Sequence, residues 1–132
     1  MTGVYSKIEI AEPSPSGLLV KGNPTQIMQV MVNLLRNACE ASEPGRPNSV
    51  EVAVWRGSSE AIVSVRDQGR GMSAEAAQNI FTWTSSDKEG GTGLGLAICR
   101  AILDAHEGRI WLEKADQDGC EFRFSLPLAT PE

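Results

Sequence analysis

The chain has 132 residues, 41% of them apolar, and a net charge of −5 at neutral pH. That length suits one domain spanning 1–132, and the apolar share is enough for one core. The acidic balance leaves no footprint for nucleic acid, no apolar run approaches the roughly 20 residues of a membrane span, and "MTGVYSKIEI" lacks the apolar stretch of a signal peptide. Cys39, Cys99 and Cys120 stand far apart without metal-ligand spacing, as expected of reduced thiols in a cytoplasmic chain.

In chain order, Val4, Ile8 and Ile10 mark a first strand over Val4 to Ile10. "AEPSPSG" is a loop, because two prolines and a glycine exclude regular structure. "LLVKG" reads as a second, short strand. Asn23 is placed to cap a helix with Pro24 in its first turn, running to about Ser42. Val50, Val52 and Val54 alternate in the next strand, and Val63, Val65 and Asp67 in the one after. A short helix is expected from about Ser73 to Ile80, and a Thr/Ser/Gly-rich loop from Thr82 to Gly91. A long helix follows from about Thr92 to Glu107, closed by Gly108. "RIWLEKADQDGCEFRFSLPL" predicts a hairpin with Asp118-Gly119 at its turn. The order fits an α+β two-layer sandwich of the broad α/β class: a mixed sheet with about three helices on one face.

Three stretches carry chemistry. At 100° per residue, Gln26, Gln29, Asn33, Arg36, Asn37 and Glu40 share one stripe of the first helix, and the rest of that helix is mainly apolar. A solvated face usually carries lysine and glutamate, yet four of these six are neutral amides. Asn33 and Asn37 stand one turn apart and point the same way. An amide oxygen is a hard ligand suited to Mg²⁺ beside phosphate oxygens.

The second stretch is "VRDQGRGM". Asp67 continues the inward face of its strand, where a carboxylate needs a donor. Gly69 and Gly71 let the backbone turn sharply beside a ligand. An ordinary turn explains this stretch as well; the functional reading has Asp67 accept a hydrogen bond from an exocyclic amine such as that of adenine. The third stretch is "DKEGGTGLGLAICR". Glycine costs a helix roughly 1 kcal/mol against alanine, but a glycine-rich helix start exposes backbone N–H groups to a phosphate. It is neither a Walker loop, which needs Gly-Lys-Ser/Thr, nor a dinucleotide fingerprint, which follows a strand.

Asn33-x-x-x-Asn37, Asp67-x-Gly69-x-Gly71 and Gly91-x-Gly93-Leu94-Gly95-Leu96, in this order and spacing, resemble the ATP-binding catalytic domain of sensor histidine kinases. That family belongs with the gyrase, Hsp90 and MutL ATPases. "NLLRNACEA" and "GGTGLGLAICRAILDAHEGRI" are the most specific matches, closest to the nitrogen- and oxygen-sensing kinases. The resemblance implies a Bergerat-type fold and ATP and Mg²⁺ as cofactors. It makes Asn37 the metal ligand, and Asn33, Asn37 and Lys88 the catalytic residues. The implied nucleotide contacts are Asn37, Glu40, Asp67, Gly69, Gly71, Lys88, Gly91, Thr92, Gly93, Leu94 and Gly95, under a lid from Phe81 to Gly91. Asn33 stands where hydrolysing relatives carry a glutamate base, and an amide cannot take that role near neutral pH.

Two departures follow from the same comparison. The lid usually reads like "IFEPFFTTK" and here reads "IFTWTSSDK", with Trp83 left to supply the packing. The acceptor histidine of such kinases lies on a separate dimerising hairpin, whereas His106 lies downstream of every nucleotide motif and is expected to be structural. The implied function is transfer of the γ-phosphate of Mg·ATP to that hairpin, which would pass it to a response regulator. The chain would be a monomeric piece of a longer sensor kinase. The rivals are a degenerate domain that binds nucleotide or a partner without catalysis, and a serine kinase of the anti-sigma-factor type, which Asn33 disfavours.

Overall fold

The computed structural model describes residues 6–10, 18–40, 48–69, 71, 93–116 and 118–129. The expected loop over 11–17, the helix over 73–80 and the lid over 82–91 lie outside the described residues.

A five-stranded mixed sheet has the order β1-β2-β3-β5-β4. Its strands are β1 (Ser6–Ile10), β2 (Asn48–Arg56), β3 (Glu60–Arg66), β4 (Arg109–Asp116) and β5 (Gly119–Pro127). Only β1 and β2 pair in parallel; the other pairs are antiparallel. Helices α1 (Pro24–Glu40) and α2 (Gly93–Ala105) cover one face.

The two-residue alternation builds that face. Val50 and Val52 from β2, Val65 from β3, and Cys120, Phe122, Phe124 and Leu126 from β5 enter one core with Val30, Leu34 and Ala38 of α1 and Leu96, Cys99, Ile102 and Leu103 of α2. Phenylalanine rings bury the largest areas among these side chains, on the order of 150–250 Å² each. The opposite face is polar. Arg123 Nε lies 2.6 Å from Glu121 Oε2, and the Ser64 hydroxyl is 2.9 Å from the same oxygen. Burial pushes the Glu121 carboxyl up, but the bonds from Arg123 and Ser64 and the charges of Arg123 and Arg66 outweigh it and hold it below its ordinary value. The Arg123 guanidinium stacks 5.0 Å from the Trp55 ring centre, and that of Arg109 lies 4.9 Å from Trp111.

Four expectations need correction. "LLVKG" is not a strand: only Val20 pairs, in a single bridge to Leu128, and Leu19 is 71% exposed. Val20 packs against the core, and Asn23 caps the helix three residues later. The buried side of α1 is narrower than its composition suggested. Met28 and Val32 are exposed, because the helix meets the sheet on one side and α2 on the next. In the hairpin Asp116 pairs with Gly119, so Gly119 already belongs to β5. The Asp118 N–H closes the turn on Asp116 Oδ1 at 2.8 Å.

The end of α2 is the fourth. Glu107, not Gly108, holds the left-handed conformation, with φ 59°. The Gly108 N–H reaches the Leu103 carbonyl at 2.8 Å and the Glu107 N–H the Asp104 carbonyl at 3.2 Å, the two bonds of a Schellman cap. Gly108 serves close packing instead, since a Cβ there would overlap the Ser125 carbonyl oxygen.

A left-handed non-glycine residue costs roughly 1–2 kcal/mol, partly offset by the greater unfolded-state freedom of glycine. Glu107→Gly should therefore raise unfolding stability by about 0.5–1 kcal/mol. Urea denaturation checks this; a lower midpoint at unchanged slope would contradict it.

Candidate functional site

Helix α1 starts where the sequence places its cap. Asn23 Oδ1 accepts the Gln26 N–H at 3.1 Å, and the Asn23 carbonyl accepts that of Ile27 at 3.0 Å. Val30, Leu34 and Ala38 bury the core side. The polar stripe beside them divides: Gln26, Gln29 and Arg36 are exposed, while Asn33 and Asn37 are half-buried.

The two asparagines differ in what they touch. Asn33 Nδ2 donates to the Gly95 carbonyl of α2 at 3.3 Å and lies 3.6 Å from Cys99 Sγ. Asn37 Nδ2 is buried with no hydrogen-bond partner among the described residues. An orphaned buried amide end costs on the order of 1–3 kcal/mol unless something else satisfies it. A half-turn of that amide offers the same position an acceptor oxygen instead of a donor.

Asp67 follows the last residue of β3 and is 6% exposed. Its Oδ1 accepts the Gly69 N–H at 2.9 Å and the Cys120 N–H at 3.2 Å. The second donor comes from β5, and the Asp67 N–H in turn reaches the Cys120 carbonyl at 2.9 Å. Burial pushes the Asp67 carboxyl above its ordinary value, while the Gly69 and Cys120 N–H groups pull it part of the way back. Gly71 has φ 69°, so the turn after Asp67 uses backbone space that glycine enters freely.

The topology brings these parts to one end of the molecule. At one end of the helix pair His106 meets Asn23, and at the other Gly95 meets Asn33, so α1 and α2 run antiparallel. Three residues join α2 to β4, which puts the start of β4 at the His106 end. Arg109 pairs with Ser125, whereas Cys120, at the far end of β5, meets Asp67. The start of α2, the Asn33–Asn37 stretch and Asp67 therefore share the end opposite His106. Lys88, Gly91 and Thr92 lie outside the described residues, as do the side chains of Glu40 and Leu94; Gly93 begins α2.

His106 is structural, as expected. Its Nε2 accepts the Asn23 N–H at 3.0 Å, which leaves the proton on Nδ1, 2.8 Å from the Ile102 carbonyl. Among the described residues, no three His, Cys, Asp or Glu side chains cluster to hold a metal.

Sequence reasoning missed Gly119 and Cys120. Gly119 has φ 139°, and a Cβ there would overlap the Asp67 carbonyl oxygen. The tight turn at Asp118-Gly119 was visible, but nothing in it signalled contact with a residue some fifty positions earlier.

Residues 22–130 match the family described as histidine kinase-, DNA gyrase B- and HSP90-like ATPases. The chain belongs to that family. It is similar to the sensor protein FixL of Bradyrhizobium diazoefficiens, 39% identical over 116 residues, which cover 87% of this chain and 23% of that protein. The sensor histidine kinase ZraS of Klebsiella oxytoca is 42% identical over 115 residues, covering 86% and 24%. The chain thus spans about a quarter of the length of these ATPase-family relatives. The catalytic domain of the histidine kinase ThkA superposes with a TM-score of 0.79 at 33% identity, over 92% of this chain and 78% of that one. Full-length ShkA, solved in complex with AMPPNP, gives 0.80 at 26% identity over 96% and 26%. No helix among the described residues is long and apolar enough to cross a membrane.

The raised Asp67 carboxyl sets a pH signature. The folded chain holds this proton more tightly than the unfolded one, so stability falls as pH rises from the ordinary aspartate value of 3.8 through the folded value. Asp67→Asn removes that penalty and keeps an acceptor for both N–H groups. Its stability relative to wild type should therefore be greater at pH 7 than at pH 3.5. Paired urea titrations at the two pH values test this; an advantage that shrinks toward neutrality would contradict it.

Proposed function

We propose that the chain binds Mg·ATP at the end of the sheet where Asp67, Asn37 and the start of α2 lie, and that it donates the γ-phosphate to a histidine on a separate dimerisation hairpin. The observation that carries this reading is the Asp67 carboxylate. It is buried and fixed by two backbone N–H groups, and no cationic side chain bonds to it among the described residues. A carboxylate kept this way suits an amine donor brought by a ligand, and adenine carries one.

Asn37 fits the metal end. Its buried Nδ2 has no partner among the described residues, and turning the amide over would put its oxygen there as a hard ligand for Mg²⁺, with waters and phosphate oxygens completing the shell. When bound, the ion would neutralise charge on the phosphates. The start of α2 offers unpaired N–H groups on the same side. Lys88, Gly91 and Thr92 complete the proposed set through the lid. Asn33 cannot act as a base, so transfer to an acceptor is favoured over hydrolysis.

Relatives support the reading: the sensor protein FixL and the sensor histidine kinase ZraS match 87% and 86% of this chain. The hairpin and a response regulator are accordingly the proposed partners, in two-component signalling. The second reading, a domain that binds nucleotide or a partner without catalysis, is favoured by the altered lid sequence "IFTWTSSDK".

Calorimetric titration with Mg·ADP tests the site. Asp67→Asn loses a charge-assisted bond worth roughly 1.5–3 kcal/mol, about a tenfold to hundredfold weakening. Asn37→Ala should remove the Mg²⁺ dependence. Equal affinities for all three proteins would refute the assignment.

Incubation with γ-labelled ATP tests the chemistry. The chain alone should remain unlabelled, because His106 lies beyond the far end of the 13-residue α2, about 20 Å from its start. Added hairpin protein should gain acid-labile label. Binding without transfer would select the second reading.

A further inference from the structure

We infer that Asn33 is a positioning residue, acting through its amide N–H groups on the first turn of α2, and that only Asn37 of the pair faces the ligand. This rests on the nucleotide-site reading above. Asn33 and Asn37 look equivalent in sequence, one turn apart on one stripe. Their surroundings separate them. Asn33 Nδ2 spans the helix interface, 3.3 Å from the Gly95 carbonyl and 3.6 Å from Cys99 Sγ. The Cys99 thiol is fully buried and in turn lies 3.9 Å from the Val30 carbonyl. Val30, Asn33, Gly95 and Cys99 thus form one polar clip between two antiparallel helices, at the end opposite the Asn23–His106 bond. Asn37 Nδ2, one turn on, is buried and has no hydrogen-bond partner among the described residues.

The clip's bonds are long, so each adds little stability. What they supply is register. Gly95 stands two residues after the start of α2, and its carbonyl is the helical partner of the Cys99 N–H. A donor held against that carbonyl fixes the first turn of α2 relative to Asn37. The proposed phosphate-facing N–H groups and the proposed metal ligand are thereby kept at a set separation. Any side chain at position 33 that offers only acceptors would face the Gly95 carbonyl with like partial charge and lose the clip.

This separates two roles by chemistry. A metal ligand would use the amide oxygen of Asn33, which Asn33→Asp retains in more basic form. A clip uses the amide N–H, which Asn33→Asp removes as fully as Asn33→Ala does, and which Asn33→Gln keeps.

Two measurements decide it. Hydrogen exchange of the Cys99 amide, followed in nucleotide-free protein, needs no assumption about ATP. The clip predicts at least fivefold faster exchange in both Asn33→Asp and Asn33→Ala, with Asn33→Gln nearer wild type. Wild-type exchange in Asn33→Asp would overturn the clip.

The second measurement compares Mg·ADP affinity with the rate of transfer to the hairpin. Asn33→Asp and Asn33→Ala should keep ADP affinity within threefold of wild type and lose at least tenfold in transfer rate, with recovery in Asn33→Gln. Full activity in Asn33→Asp with loss in Asn33→Ala would make Asn33 a ligand and overturn the positioning role. Failure of the wild-type chain to bind Mg·ADP would sink the nucleotide reading, and the exchange result would still judge the clip.

Discussion

A carboxylate buried in a protein interior is costly unless backbone or charge compensates it. Among the described residues the compensation at Asp67 is backbone only, one N–H from its own turn and one from β5. The rest of the site depends on that arrangement. It requires β5 to lie beside β3, which the core residues Phe122 and Phe124 secure opposite Val65 and Val63. It also requires a glycine at 119, because any side chain there would displace the Asp67 carbonyl. The result is an acceptor held in place, as the proposed nucleotide reading requires, with a raised proton affinity.

The helices complete the same end of the molecule by an independent route. Antiparallel packing of α1 on α2 is tied at one end by His106 on Asn23 and at the other by Asn33 on Gly95. Between these ties Ile27, Val30 and Met31 of α1 and Leu96, Cys99, Ile102 and Leu103 of α2 join the core. Apolar packing tolerates sliding, whereas two polar ties at opposite ends do not. Asn33 holds the helix pair, while Asn37 Nδ2 has no partner among the described residues and is the one we propose for the ligand.

Much of this was legible in the residues. Asn23-Pro24 and the apolar spacing after them mark α1, and the parity of Val63, Val65 and Asp67 already turned the carboxylate inward. These are local signals, carried by side chains within one turn or one strand of each other. What was not legible is non-local or belongs to the backbone. The Cys120 N–H leaves no trace in the sequence, and the Asn33–Gly95 bond joins residues 62 positions apart. Glu107 in left-handed space defeats the expectation that glycine ends a helix, because close packing against Ser125 claims the neighbouring glycine. "LLVKG" has strand-like composition but makes only a single bridge, Val20 to Leu128, among the described residues, so composition alone overstated it.

The central claim is that Asp67 reads an amine on a bound nucleotide. The most direct measurement compares wild-type affinity for Mg·ADP and Mg·IDP, which differ at the base in an amine replaced by a carbonyl oxygen. A carbonyl facing a buried carboxylate loses one hydrogen bond and sets two acceptors against each other. The account predicts binding of ADP at least tenfold tighter than IDP in the wild type, a preference that largely disappears in Asp67→Asn. Equal affinity of the wild type for the two nucleotides would contradict it.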